Sequence, residues 1–150
     1  MKPVDQTILH NPAQGRYGDC FRACIASILH LPAQAVPHVF DGASDDDTAG
    51  DGLEMLNQWL AQYGLAYTEV LTTDPLQMMA RYNSAAYHVM VGRSPRGGNH
   101  AVVAKAGKVV HDPHPERGGL SKPLQDGYWA VGVVSVCDPE KLILAGLSFR

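Results

Sequence analysis

Cys20 stands where a polar, glycine-containing loop gives way to an apolar run, in the stretch QGRYGDCFRACIASILHLP. The apolar residues after it recur at the three- and four-residue intervals of an amphipathic helix, so Cys20 is predicted to lie in the first helical turn. Unpaired N–H groups give the start of a helix a partial positive charge, which favours a thiolate over a thiol. The position of this residue therefore indicates a cysteine nucleophile.

A thiolate nucleophile needs a base to move protons and a group that orients the base. The best base is His100, which opens the predicted strand HAVVAKAG, and the candidate orienter is Asp112, at the end of KVVHDP. A three-residue turn at 105–107 would place the two directly opposite each other on one face of an antiparallel pair. A two-residue turn at 106–107 would instead pair Ala101 with Asp112 and direct His100 to the other face. Both registers remain open.

Attack on a carbonyl also needs hydrogen-bond donors for the oxyanion that forms. Gln14, six residues before Cys20, is the predicted side-chain donor, together with the backbone N–H of Cys20. The other two cysteines, Cys24 on the apolar face of the helix and Cys137, are expected to be small buried side chains without a chemical role.

The elements that must position these residues follow from periodicity and from the Gly and Pro residues between the periodic segments. Residues 1–18 are expected to be irregular, and 41–51 is an acidic loop in which Asp51 caps the next helix. Helices are predicted from 19 to before 32, around 53–60 and at 75–82, and strands at 66–71, 85–92, 100–105, 108–112 and 128–136. Early helices followed by antiparallel strands predict an α+β fold.

Length and charge limit the class of protein. A chain of 150 residues is expected to form one domain, 1–150, and its net charge of −3 argues against general nucleic-acid binding. The N-terminus lacks the apolar core of a signal peptide, and no apolar run is long enough to cross a membrane. Three cysteines without a repeated spacing fit a reducing compartment. A cytoplasmic protein is therefore expected.

At its candidate catalytic residues the sequence resembles the papain-like cysteine peptidases, in the style of the compact bacterial and phage domains that cleave double-glycine leader peptides from bacteriocins. The matching parts are Gln14, the helix GDCFRACIASIL, the strand NHAVVAKAGK and the strand end VVHDPHP. The resemblance implies a helix bearing Cys20, packed against an antiparallel sheet that carries His100 and Asp112. It implies Cys20 as nucleophile, His100 as general base and then acid, Asp112 as orienter and Gln14 as oxyanion donor.

The reaction that the resemblance implies is attack of the thiolate on an amide carbonyl, with an acyl-enzyme on Cys20 and no cofactor or metal. Release to water gives a peptidase or amidase that acts on a peptide, a protein or a small amide. Release to an amine gives a transferase or ligase with the same triad. In one respect the chain departs from the leader peptidases, because Phe21 follows the cysteine where they usually have glycine.

Two other interpretations stay open. His111, Asp112 and His114 together with His100 form a candidate metal site, although neighbouring residues of a strand point to opposite faces. The chain is alternatively an inactive papain-like module that binds a peptide or partner through the acidic loop. In either papain-like interpretation, that loop and residues 93–99 are expected to border the cleft.

Overall fold

The computed structural model describes residues 1–41 and 50–145 and confirms the α+β prediction. Its elements, in chain order, are α1 Cys20–Leu29, α2 Gly50–Ala61, β1 Leu65–Thr72, α3 Pro75–Tyr82, β2 Tyr87–Arg93, β3 Asn99–Lys105, β4 Lys108–His111, β5 Trp129–Val136 and α4 Pro139–Ala145. Each predicted helix and strand is present, and α4 has no counterpart among the predicted elements. Within the described part of the chain, no helix is long and apolar enough to span a bilayer.

The strands form one antiparallel sheet in the order β1-β5-β2-β3-β4. The last strand of the chain, β5, therefore lies in the interior of the sheet, between β1 and β2. Helix α1 packs against β2 and β3, and α2 packs against β1. The main apolar core lies between α1 and α2 on one side and the strands on the other.

Helix α1 forms where the apolar periodicity predicts it. Most of its side chains are buried, among them Cys24, Ile25 and Leu29. The helix ends at His30, which adopts the left-handed conformation with a φ of 59°, two residues before Pro32. A C-terminal residue in this conformation followed by proline is a usual helix stop. The consequence for the site is that Cys20 occupies the first helical position.

The hairpin between β3 and β4 has the two-residue turn, so the three-residue turn that would set His100 opposite Asp112 is wrong. Lys105 pairs with Lys108 around Ala106 and Gly107, which have φ angles of 51° and 76°. Left-handed residues at both central positions are typical of a tight hairpin whose twist matches that of the strands.

The register of this hairpin then shifts by one residue. Ala104 lies opposite Val109, but Val103 lies opposite His111, which leaves Val110 as an extra residue in β4. Such a bulge bends its strand and redirects the side chains that follow it. Asp112 comes directly after the bulged strand, so its direction does not follow from a regular ladder.

The first residues of the chain are irregular, as predicted, and backbone hydrogen bonds connect them to the rest of the fold. The backbone N–H of Lys2 donates to the carbonyl of Ser27 in α1, and that of Gln6 donates to the carbonyl of Pro113, both at 3.0 Å. The N-terminal segment, residues 2–8, thus bonds both to the helix that carries Cys20 and to the chain just after Asp112.

Two smaller expectations are corrected. Cys137 is exposed and does not have the buried environment expected for it. Asp51 is in the first turn of α2 and not at the residue before the helix, because α2 already begins at Gly50. The acidic stretch expected to border the cleft falls largely on 42–49, outside the described residues.

Candidate active site

Cys20 is half-buried at the N-terminus of α1 and lines a cleft of about 500 Å³. The carbonyl of Asp19 accepts the first hydrogen bond of the helix, from the N–H of Ala23, at 3.0 Å. The N–H groups of the first turn have no partner within a helix, so the sulfur lies at the positive end of the helix dipole. A reagent that enters the cleft reaches the sulfur.

His100 and Asp112 form a hydrogen-bonded pair. Nε2–H of His100 donates to Oδ1 of Asp112 at 2.7 Å, and both residues are only 5% exposed. The structure therefore brings these two predicted residues together, although by way of the bulge and not by direct cross-strand pairing. A carboxylate acceptor on Nε2 leaves Nδ1 of the imidazole ring for Cys20.

The Asp112 carboxylate is held by backbone donors as well. Oδ1 accepts from the N–H of His114 at 2.8 Å, and Oδ2 accepts from the N–H of Gly119 at 2.7 Å. Burial acts to raise the pKa of Asp112, but the hydrogen bonds from His100, His114 and Gly119 outweigh it and lower that pKa to about 2. The carboxylate is therefore ionised at neutral pH.

The pKa of His100 depends on its burial and on hydrogen bonds to its two neighbours. Burial acts to lower the pKa of His100, whereas the hydrogen bonds with Asp112 and with the Cys20 side chain raise it, to about 9. At neutral pH the ring is then an imidazolium that donates from both nitrogens. All three predicted triad residues thus meet at one side of the cleft.

Gln14 is not brought to this site. Its side chain is exposed, its Oε1 accepts a hydrogen bond from Arg16 at 3.1 Å, and it does not line the cleft. The glutamine that does line the cleft is Gln6, in the N-terminal segment. Its Nε2 donates to the carbonyl of Ile8 at 2.8 Å, and its buried Oε1 has no hydrogen-bond partner among the described residues.

Little in the sequence around Gln6 predicts that its side chain lines the cleft. It lies in a stretch with no periodicity, fourteen residues before Cys20. Its position depends on its backbone bond to Pro113 and on how the following two residues are held. A spacing rule applied to the sequence finds Gln14 instead.

Asp19 holds those two residues. It is fully buried, and its Oδ1 accepts from the backbone N–H of Thr7 at 2.9 Å and of Ile8 at 2.8 Å. Its Oδ2 accepts from the Thr7 hydroxyl at 2.8 Å and from Nη2 of Arg22 at 2.5 Å. Burial acts to raise the pKa of Asp19, but the bonds from Ile8, Thr7 and Arg22 lower it below its usual value.

The role of Asp19 was not predicted, and the signal for it is slight. An aspartate just before a helix ordinarily caps the first turn with its side chain. Here the side chain makes no cap bond and instead binds the N-terminal segment. The arginine three residues later, Arg22, is the one feature of the sequence that pairs with it.

Cys24 differs from Cys20 although the two are one turn apart. It is fully buried in the core, and burial raises its pKa well above the usual value of a thiol. It has the buried position expected for it and remains a neutral thiol at physiological pH.

The candidate metal ligands do not converge. Nε2–H of His111 donates to the carbonyl of Val4 at 2.9 Å, whereas the side chain of Asp112 points to His100. His114 lines the cleft with its ring centre 6.2 Å from that of His100. Within residues 1–41 and 50–145, no group of three or more His, Cys, Asp or Glu is arranged to hold a metal ion.

Residues 93–99 are expected to border the cleft, and five of them line it, whereas Arg93 and Pro95 do not. The five lining residues are Ser94, Arg96, Gly97, Gly98 and Asn99.

Comparison with known proteins identifies no relative, since no protein-family model, curated protein or solved structure matches the chain.

Proposed function

We propose that the chain is a cysteine-dependent hydrolase that cleaves an amide bond of a peptide, a protein or a small amide, on a papain-like fold. One observation carries this: Cys20, half-buried at a helix N-terminus, lies beside a buried imidazole whose other nitrogen is bound to a carboxylate at 2.7 Å. This is the relation of nucleophile, base and orienter that acyl transfer requires.

Acylation begins from the Cys20 thiolate and the His100 imidazolium. The sulfur attacks the carbonyl carbon, forming a C–S bond while the carbonyl π electrons move to oxygen. The C–N bond then breaks, the oxyanion becomes a carbonyl again, and the imidazolium proton passes to the leaving nitrogen. The products are a thioester on Cys20, a neutral imidazole and a free amine. Asp112 keeps the ring oriented throughout.

The oxyanion has two candidate donors. The backbone N–H of Cys20 belongs to the first helical turn, where it has no intrahelical partner. An amide side chain has two N–H donors, and Gln6 uses one of them on Ile8, which leaves the second for the oxyanion. A preorganised donor of this kind contributes roughly 3–4 kcal/mol to the transition state. Gln6 takes the role that the sequence predicts for Gln14.

Deacylation uses water. The neutral His100 imidazole takes a proton from water, the hydroxide oxygen bonds to the thioester carbon, and the C–S bond breaks to give a carboxylic acid and the original ion pair. The open cleft beside Cys20 supports water as the acceptor, because solvent reaches the half-buried sulfur. Free cysteines fit a reducing compartment, and the location we propose is therefore the cytoplasm.

The experiment is iodoacetamide labelling of the native full-length chain as a function of pH, with the modified cysteine located by mass spectrometry. We expect Cys20 to react more rapidly than the exposed Cys137 below neutral pH, and to react more slowly in the His100→Ala variant, because the imidazolium no longer stabilises the thiolate. Cys24, buried in the same helix, serves as the internal control and stays unlabelled while the fold is intact.

A different pattern would overturn the proposal. If Cys20 reacts only as an ordinary thiol does, with a pH profile that His100→Ala leaves unchanged, the chain is an inactive module that binds a partner. Labelling of Cys24 together with Cys20 would show that the variant has lost its fold, and the measurement is then repeated with His100→Gln.

A further inference from the structure

Two parts of the chain line the cleft beside Cys20. The N-terminal part contributes apolar side chains, among them Leu9, which is 48% exposed, together with the polar Gln6 and His10. The loop 94–98 that follows β2 contributes Ser94, Arg96 and two glycines. A substrate that fills this space therefore meets both apolar and polar groups.

The permanent charge in the cleft is positive. Besides Cys20 and His100, the ionisable side chains that line it are Arg96, His10, Tyr17 and His114. Among the described residues, no aspartate or glutamate lines the cleft. A lining that holds a permanent cation and no carboxylate attracts anionic ligands.

Arg96 is the permanent charge in this set. Its Nη1 lies 3.5 Å from Oε2 of Glu116, whose side chain is 67% exposed, and the Arg96 side chain itself is 29% exposed. A pair so open to solvent is weak, and a guanidinium has five N–H donors, so most of them remain for a ligand. Burial lowers the pKa of the neighbouring His114, and the charge of Arg96 lowers it further, by more than Glu116 raises it.

The backbone next to Arg96 leaves room for a ligand. Gly97 and Gly98 have φ angles of 88° and 73°, and a Cβ added to either would meet no atom within 4 Å. The N–H of Arg96 is fixed by the Ser94 hydroxyl at 3.1 Å, which holds the start of this turn. The loop thus presents a cation on a fixed backbone beside open space.

We propose that Arg96 binds a carboxylate of the substrate, so that the preferred substrate is an amide with an acidic side chain close to the bond that Cys20 attacks. This specificity rests on the proposed function, because it concerns the same cleft. A guanidinium binds a carboxylate through two parallel N–H···O bonds, and such bonds are stronger than those between neutral groups.

The test uses two matched pairs of short peptidyl chloromethyl ketones, which alkylate a cysteine nucleophile. In one pair the residue that bears the ketone is Glu or Gln, and in the other pair the residue before it is Glu or Gln. We expect the Glu probe of at least one pair to inactivate Cys20 roughly tenfold faster than its Gln partner. The ratio should fall in high salt.

Two variants identify the residue responsible. Arg96→Gln should bring the Glu/Gln ratio to about one, since the remaining contacts treat both probes alike. Arg93→Gln is the control, because it removes the same charge three residues earlier from a side chain that does not line this cleft. It should leave the ratio unchanged.

The test separates a failure of the carboxylate specificity from a failure of the proposed hydrolase function. Equal labelling by Glu and Gln probes in both pairs, with Cys20 still activated by His100, overturns the carboxylate specificity and leaves the hydrolase intact. A preference for Glu that persists in Arg96→Gln overturns the assignment to Arg96. If no probe and no iodoacetamide labels Cys20 selectively, the proposed function fails, and the specificity fails with it.

Discussion

Two buried aspartates lie near Cys20, and they differ in what they bind. Asp19 is paired with Arg22 and with the backbone of the N-terminal segment, whereas Asp112 is paired with His100. Both carboxyl groups have lowered pKa values, because hydrogen bonds outweigh the effect of burial. Both are therefore anions at neutral pH.

The partner of each aspartate determines what that aspartate can do. Arg22 keeps its charge at every physiological pH, so the Asp19 cluster has one protonation state and can only hold structure. His100 can give up a proton, so its pair with Asp112 has two states and can take part in proton transfer. Asp19 fixes the backbone that follows Gln6, and Asp112 fixes the base, so the two carboxylates position different parts of one site.

The largest expected effect is on the chemistry of the Asp112 pair. Replacing Asp112 with Ala removes the acceptor on Nε2 of His100, and we expect acylation of Cys20 to slow by about a thousandfold. Asp112→Asn should slow it far less, because an amide oxygen still accepts from the ring. The measurement is the single-turnover release of nitrophenolate from a p-nitrophenyl ester. Equal rates for the Ala and Asn variants would remove Asp112 from the triad.

Next in size is the effect of Asp19 on folding. Asp19→Ala leaves the backbone N–H groups of Thr7 and Ile8 and the Arg22 guanidinium without the buried carboxylate that accepts from them, so we expect the free energy of unfolding to fall by about 3 kcal/mol. Urea denaturation measures it, with the exposed Asp74, which caps α3 through the N–H of Gln77, as the control site. Asp74→Ala should cost about 1 kcal/mol. A loss at Asp19 no larger than at Asp74 would contradict a structural role.

What the sequence could predict depends on how local the cause is. The position of Cys20 at the start of α1 follows from apolar residues within two helical turns. Likewise His100 and Asp112 were found because each stands at the end of a short β pattern. Their contact was predicted, but its route was not, since Gly107 is compatible with both turn lengths and the bulge at Val110 has no sequence signal of its own.

Features that depend on distant segments escaped prediction. The placement of β5 between β1 and β2 is decided by packing of the whole sheet and not by the pattern of the strand itself. Gln6 reaches the cleft through bonds of its segment to Pro113 and Asp19, neither of which is near it in the sequence. Gln14 satisfied the local spacing rule, yet its own turn directs it to Arg16 and solvent.

The smallest expected effect distinguishes the two aspartates by pH. The pKa of His100 is raised from 6.5 to about 9, so its pair with Asp112 stabilises the fold fully below pH 6.5 and loses that contribution as the pH rises through 9. Both aspartates have lowered pKa values, so their contributions are present above pH 3.8 and are lost in acid. Acid destabilisation thus belongs to both aspartates, whereas of the two aspartate pairs only the one with His100 loses stability as the pH rises through 9.

Urea denaturation between neutral pH and pH 9 measures this loss, which we expect to be about 1–2 kcal/mol in the unmodified chain. His100→Gln removes this titrating group and should remove most of the slope in that range, because the buried Cys24 thiol contributes only near pH 9 and does so equally in both chains. Asp19→Asn lowers the stability but keeps the alkaline slope, because Arg22 does not titrate there. A slope that survives undiminished in His100→Gln would mean that another group causes it, and the imidazolium at Asp112 would then not be the state of the folded site.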